Sequence, residues 1–245
     1  RDLKSFPAAA MVAGHTLLLM GYYVVISGDM GNALTFFFIF LCMAFAAGFA
    51  LRWFALLFAG LGGGIAFVLL LDIVPASMDY MLNRFRVLFD HSYDSLGVGW
   101  QQSRSLLAIG SGGIFGQGYM QGTQTQSSES YSLPYRWTDF IFSVTAESVG
   151  FVGCMFIIAL YFVLILRLFY LAYKVTDRFG SLVIAGVASM FLFHIFENIG
   201  MTIGIMPVTG IPLPFLSYGG SSMLANMAAI GFVLNVVKRQ QRTVL

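Results

Sequence analysis

Asp139 opens a long apolar run in Leu133-Pro-Tyr-Arg-Trp-Thr-Asp-Phe-Ile-Phe142. A carboxylate at that boundary has two roles open to it. Thr138 can cap the helix that follows, with Asp139 as a favourable charge in its first turn. A carboxylate partly out of water beside an apolar wall also gains basicity and can act as a general base. Arg136 and Trp137 next to it suit an anionic or sugar-bearing ligand. Glu147 lies two helical turns further on, within the same apolar run. Glu197 sits inside another such run, three residues after His194 and one before Asn198. An ionisable group at membrane depth costs on the order of 2.5–3.5 kcal/mol or more, so it faces a bundle interior. The roles open to Glu147 and Glu197 are a polar clamp between helices, a proton path or a ligand contact. His194 and Glu197 together fall short of the ligand set a metal site needs.

Other residues invite weaker readings. Asp29 in Gly28-Asp-Met-Gly31 fits a turn or the cap of the next helix. Gly110-Ser-Gly-Gly-Ile-Phe-Gly-Gln-Gly118 lacks the lysine of a phosphate loop, so close packing and tight turning explain it better. Arg84, Arg86 and Arg104 can meet phosphates of lipid headgroups or of a lipid-linked substrate. Pro207-Val-Thr-Gly-Ile-Pro-Leu-Pro-Phe-Leu-Ser-Tyr-Gly-Gly-Ser-Ser222 places three prolines and three glycines between two apolar runs. No helix runs through such a stretch. Irregular backbone at membrane depth is tolerated only where protein buries it or a cavity adjoins it.

The elements that position these residues follow from composition. Of 245 residues, 58% are hydrophobic and 10% charged, against roughly 25% charged in soluble domains. With a mean hydropathy of +0.83, this is an all-α polytopic membrane protein, a single membrane domain over 1–245. A net charge of +2 gives no case for nucleic acid. Cys42 and Cys154, both inside apolar runs, read as free buried thiols. No cleavable signal peptide is recognisable, and Arg1 in place of methionine suggests that the natural N-terminus lies upstream.

About 20 apolar residues cross the hydrocarbon core. The chain offers six spans, near 7–27, 33–51, 53–74, 139–172, 181–206 and 221–237. Threading them alternately puts Arg1, Lys4, Arg52, Lys174, Arg178, Lys238, Arg239 and Arg242 on one side, the cytoplasm by the positive-inside rule. Both ends are then cytoplasmic. The outer side receives Gly28–Gly31, a large loop over 75–138 and a re-entrant-like loop over 207–222. In the large loop, Met78, Met81, Leu82, Phe85, Leu88 and Phe89 recur at helical spacing. Asp79, Asn83, Arg84, Arg86 and Asp90 take the opposite face, which suits a short interfacial helix. The residues alone leave a transporter and an enzyme acting on a lipid equally open.

Four motifs add a resemblance. They are Gly28-Asp-Met-Gly-Asn-Ala-Leu34; Gly97-Val-Gly-Trp-Gln101 with Ala108-Ile-Gly-Ser-Gly-Gly113; Thr138-Asp-Phe-Ile-Phe142; and Asn198-Ile-Gly-Met201 through to Ser222. In this order the chain resembles the SEDS family, the bacterial shape, elongation, division and sporulation proteins. The wording of the last motif is nearer the family's elongation branch than its division branch. The resemblance implies about ten spans, of which this chain matches the last six. It also implies a peptidoglycan glycosyltransferase of the bacterial inner membrane, polymerising lipid II on the outer face. Asp139 then corresponds to the family's essential acidic residue, and the general-base role fits inverting transfer. Gln101, Arg104, Arg136, Trp137, Ser217 and Ser221 are the candidate substrate contacts. A class B penicillin-binding protein is the implied partner, and Mg or Mn a possible cation with no assigned ligands. A lipid-linked precursor flippase gated by Glu147 and Glu197, and a non-catalytic scaffold, are the competing readings. The chain departs from the family at Tyr135, Ser148 and Arg104, where the first two replace carboxylates and the third a glutamine. It also carries a longer loop before Leu133.

Overall fold

The computed structural model describes residues 6–71, 76–89, 94, 97–126 and 132–243. Arg1, Lys4, Pro75, Asp90 and the longer loop around 127–131 lie outside the described residues. The side chains of 6–9, 72–82 and 241–243 lie outside them too. Among the described residues all regular structure is helical. The chain divides into two compact units, Arg1–Asn83 and Arg84–Leu245.

In the first unit, α1 (Phe6–Gly21) runs into a π-helical turn, Tyr22–Ile26. Gly28, at φ +64°, reverses the chain, and Asp29 starts α2 (Met30–Ala46). The Asp29 carboxylate accepts from the Asn32 amide at 3.0 Å and from Asn32 Nδ2 at 2.6 Å. The cap reading of Asp29 is the observed one. Gly48, also left-handed, separates α2 from α3 (Leu51–Leu70). Ala10, Ala13, Phe40, Ala44, Trp53 and Leu57 help to line an apolar cavity of about 250 Å³, which contains none of the candidate site residues.

The large loop contains the expected short helix, α4 (Ala76–Phe89). Val87 is buried, while Phe85 and Phe89 are exposed. Arg84 also turns inward, donating to the Val208 carbonyl rather than only facing headgroups.

The second unit continues with α5 (Val98–Ser111), α6 (Ile141–Lys174), α7 (Arg178–Thr202) and α8 (Gly220–Thr243). Asp94 fastens the start of α5 by accepting from the Gly97 and Val98 amides at 2.9 and 2.7 Å. Asp177 caps α7 through Gly180 N at 2.7 Å. Helices in lipid associate by close packing and hydrogen bonding, because lipid tails are as apolar as leucine. The α6–α7–α8 core accordingly mixes small residues with large ones, Ala172, Ala185 and Ala188 beside Leu168, Ile184 and Phe191.

Three helical stretches are long and apolar enough to cross a membrane: Ile141–Lys174, Arg178–Thr202 and Gly220–Gln240. Ala10–Ile26, Met30–Ala46 and Leu51–Gly64 are shorter apolar stretches at the first three expected spans. The fourth span is not one straight helix. Gly150, at φ +67° and ψ −169°, breaks α6. The Gly112–Gly118 segment docks into that break. Phe151 N donates to Gly113 O at 2.9 Å and Val152 N to Ile114 O at 3.1 Å. Gln117 N and Gly118 N donate in return to Glu147 O and Ser148 O, at 2.9 and 3.0 Å. Backbone contact this close demands glycine: a Cβ on Gly116 would lie 2.2 Å from Ser148 O, and one on Gly150 would lie 2.3 Å from Gly116 N.

Candidate active site

The broken stretch between α7 and α8 closes around the residues that lead into α6. Three consecutive carbonyls there each accept a hydrogen bond from it or from α7. Tyr218 N donates to Trp137 O at 2.8 Å. Ser217 Oγ donates to Thr138 O at 2.6 Å. Asn198 Nδ2 donates to Asp139 O at 2.7 Å and also to Ile211 O at 2.8 Å. Tyr161 of α6 secures the far side of the stretch, its hydroxyl donating to Pro214 O at 2.6 Å. Apart from one turn in which Leu216 N and Ser217 N donate to Leu213 O, prolines and glycines leave this stretch without helical bonds, and side chains of α6 and α7 supply partners.

Clamping the backbone leaves the Asp139 carboxyl for other work. The residue preceding α6 is Phe140, and no side chain caps the helix. Thr138 Oγ1 donates instead to Tyr135 O at 3.3 Å, so neither residue performs the capping task. Asp139 is half-buried. Burial holds its carboxyl above the usual carboxylate range, and a hydrogen bond from the Thr138 side chain partly offsets this. Gly210 stands beside it at φ +80°, where a Cβ would come to 3.5 Å from Asp139 Oδ2. Gly210 is exposed and adds no side chain over the carboxyl. Glu197 and Asn198 bracket it, since Thr209 Oγ1 donates to Glu197 Oε1 at 3.0 Å while Asn198 holds Ile211. Two side-chain oxygens here, Glu197 Oε2 and Asn198 Oδ1, are buried without a protein partner.

Glu147 is fully buried and bound on both oxygens. Oε1 accepts from Gln124 N at 2.7 Å and Ser111 Oγ at 3.1 Å. Oε2 accepts from Thr125 N at 2.9 Å and from the Thr125 hydroxyl. The carboxylate is therefore a clamp, joining α6 to the loop that follows α5. That loop in turn orients two cations. Arg136 donates to Thr125 O at 2.5 Å and lies over the Trp137 ring at 5.5 Å. Arg104 donates to Gln124 Oε1 at 3.4 Å and lies over Trp100 at 5.5 Å.

The structure thus gathers Asp139, Trp137, Ser217 and Asn198 directly, and ties Arg136, Arg104 and Glu147 into the adjoining loop. Ser217, expected as a substrate contact, is buried with its hydroxyl occupied by Thr138 O and Leu213 N. That makes it a positioning residue. Ser221 is exposed near the start of α8. Gln101 is half-buried, whereas its neighbour Gln102 is buried and donates to Met201 O and Met206 O, both at 3.1 Å. Ser105 likewise bonds Thr202 O at 2.7 Å and Ser143 Oγ at 2.6 Å. Sequence reading passed over Gln102 and Ser105. All of 101–105 is polar, so only the rotation of α5 against the end of α7 singles these two out. His194 is half-buried. Among the described residues no three His, Cys, Asp or Glu side chains group closely enough to hold a metal. These residues therefore offer no donor set that would hold a cation by side chains alone.

Fold and site together define a class: a helical membrane protein in which a half-buried carboxyl lies beside a broken-helix stretch. Comparison with known proteins agrees with it. The profile of the FtsW, RodA and SpoVE group, described as cell cycle protein, matches residues 3–242. The chain belongs to this family. The "Peptidoglycan glycosyltransferase RodA" of Treponema pallidum (strain Nichols) is 45% identical over 161 residues, covering 66% of this chain and 36% of its own length. The "Peptidoglycan glycosyltransferase MrdB" of Escherichia coli (strain K12) is 41% identical over 178 residues, covering 71% of this chain and 47% of its own. This chain thus spans between a third and a half of the length of these two relatives. A solved structure described as "Structural coordination of polymerization and crosslinking by a peptidoglycan synthase complex" superposes with a TM-score of 0.75 at 31% identity. It covers 98% of this chain and 64% of the chain compared.

Proposed function

We propose that this chain carries the catalytic carboxylate of a peptidoglycan glycosyltransferase that polymerises lipid II during cell elongation, with Asp139 as general base. The observation that carries the proposal is the Asp139 carboxyl itself. It caps no helix, is partly desolvated, and has Gly210 beside it, while its own backbone is held at three successive carbonyls. A rigid backbone carrying a partly desolvated carboxyl is what proton transfer needs.

In the reaction we infer, Asp139 takes the proton from an acceptor sugar hydroxyl. The oxygen attacks the anomeric carbon of the second lipid-linked saccharide, and the bond to its pyrophosphate breaks with inversion. Lipid pyrophosphate leaves with the electron pair. Arg136 and Arg104 are the cations best suited to receive it, because the loop that orients both also anchors on Glu147. Trp137, exposed beside Asp139, offers a face for a sugar ring. Gln101 and Ser221 remain further candidate contacts.

The same reading places six spans in the bacterial inner membrane, with both ends of this chain cytoplasmic and Asp139 facing outside. The basic residues after the second, fourth and sixth expected spans support that orientation. A class B penicillin-binding protein is the proposed cross-linking partner. The description of the superposed complex, which joins polymerisation to crosslinking, supports this.

The test is reconstitution of the full-length protein, with its partner, in vesicles containing lipid II. Glycan polymer should form, and labelled lipid II should not exchange between leaflets faster than in protein-free vesicles. Exchange without polymer would replace the proposal with a flippase, and neither activity with retained partner binding would make it a scaffold.

A further inference from the structure

The glycine-rich segment between α5 and α6 carries four large apolar side chains that its own fold leaves bare. Ile114 is 63% exposed, Phe115 80%, Tyr119 85% and Met120 59%. A loop over water gains nothing from such a tip. Its polar side chains point the other way: Gln117 Nε2 donates to Ser111 O at 3.1 Å and its Oε1 accepts from Thr123 N at 3.1 Å.

Depth along α6 identifies what meets the tip. The part of α6 beyond its break at Gly150, ending at Lys174, is about 36 Å long, enough to cross the roughly 30 Å core of a bilayer. Counting about 20 residues of core back from Lys174 at the basic end reaches Met155, just over a turn past the break. The segment is bonded to α6 at Glu147, Ser148, Phe151 and Val152, so it lies where hydrocarbon gives way to headgroups. The α6 surface there, Val149, Phe151, Val152 and Phe156, is exposed and apolar, and the tip extends it.

Irregular backbone near lipid needs partners within the protein, and at its root this segment has them. Gly116 N bonds Gly112 O at 2.8 Å, and the amides of Gln117 and Gly118 and the carbonyls of Gly113 and Ile114 bond α6. We propose that Gly113–Met120 is a membrane-inserted wedge, with Ile114 and Phe115 in the acyl region of the leaflet on Asp139's side and Tyr119 at its headgroups. The occupant of this surface is lipid. The wedge is rooted in the break of α6 just below Glu147, so bilayer contact and the loop holding Arg136 share one anchor.

Full-length protein in phospholipid nanodiscs, without other cysteines, tests this with a nitroxide at Phe115→Cys and, separately, at Tyr119→Cys and Gln121→Cys. Power saturation compares dissolved oxygen, which concentrates in lipid, with a nickel chelate confined to water. Oxygen should dominate at 115, the preference should fall at 119, and the chelate should dominate at 121. Chelate access at 115 would overturn the proposal in favour of a solvated loop. Exclusion of both reagents at 115 would overturn it in favour of a covering protein segment. If the 115 variant does not fold, Ile114→Cys gives the same reading.

Discussion

Asn198 holds Asp139 by its backbone: one amide nitrogen, Nδ2, donates to the Asp139 carbonyl at 2.7 Å and to the Ile211 carbonyl at 2.8 Å. A single side chain of α7 thereby fixes the distance between the carboxylate-bearing turn and the broken stretch beside it. Asn198→Ala leaves two carbonyls without their donor, at about 1–3 kcal/mol of stability each. Polymerisation by the full-length protein should slow roughly 10- to 100-fold, as expected when a reacting group is misplaced by about an ångström. The loss should fall on kcat more than KM, since Asn198 is buried. Steady-state kinetics beside a thermal melt checks both.

Glu147 is predicted to act through the loop it anchors. Glu147→Gln replaces one acceptor oxygen with an amide that faces Thr125's donors, and hydrogen bonds to charged groups contribute about 1.5–3 kcal/mol. Hydrogen exchange in the 121–126 peptide should accelerate while α7 and α8 stay protected. Unchanged protection of that peptide would contradict the clamp.

Glycines in this chain are not equivalent. Gly150→Ala must place a side chain at φ +67° and 2.3 Å from Gly116 N. That backbone conformation, with ψ at −169°, is essentially glycine's alone and costs another residue about 1–3 kcal/mol, and the clash adds to it, so folded yield should collapse. Gly60→Ala in α3 meets nothing within 4 Å and should be neutral or stabilising by up to about 1 kcal/mol. Detergent-stable yield and melting temperature separate the two.

These outcomes mark where sequence sufficed. The break over 207–222 was legible because proline and glycine act on their own backbone, and Asp29 was legible as a cap because capping is local. Asp139 stood out by its place at the head of an apolar run. The α6 break at Gly150 was not legible, because its cause lies more than 30 residues away in the segment that docks there. Ser217 looked available for a ligand until the 137–139 turn was seen against it. The choice between Gln101 and Gln102 depends on the rotation of α5, which Met201 and Met206 set. In α4 the spacing put Phe85 and Phe89 on the apolar face of an interfacial helix, and it gave no sign that Val87 is the buried residue.

Activity and stability should respond to pH in opposite directions. Burial raises the Asp139 carboxyl, so folding favours its protonated form. Its contribution to stability is full below the unfolded value and is lost as pH rises through the raised folded value. The base works only when ionised, so activity rises through that same value. The acid limb of kcat/KM should therefore lie above the ordinary carboxylate range. At neutral pH Asp139→Asn should melt no lower than the wild type, and a lower melting temperature would contradict this sign.

The central claim is proton transfer by Asp139. Its most direct test is the initial rate of lipid II polymerisation by full-length Asp139→Asn protein, with lipid II binding measured on the same preparation. The account predicts retained binding and a rate reduced by about 100- to 10,000-fold, the usual contribution of a positioned base. Polymerisation by Asp139→Asn at close to the wild-type rate would contradict it.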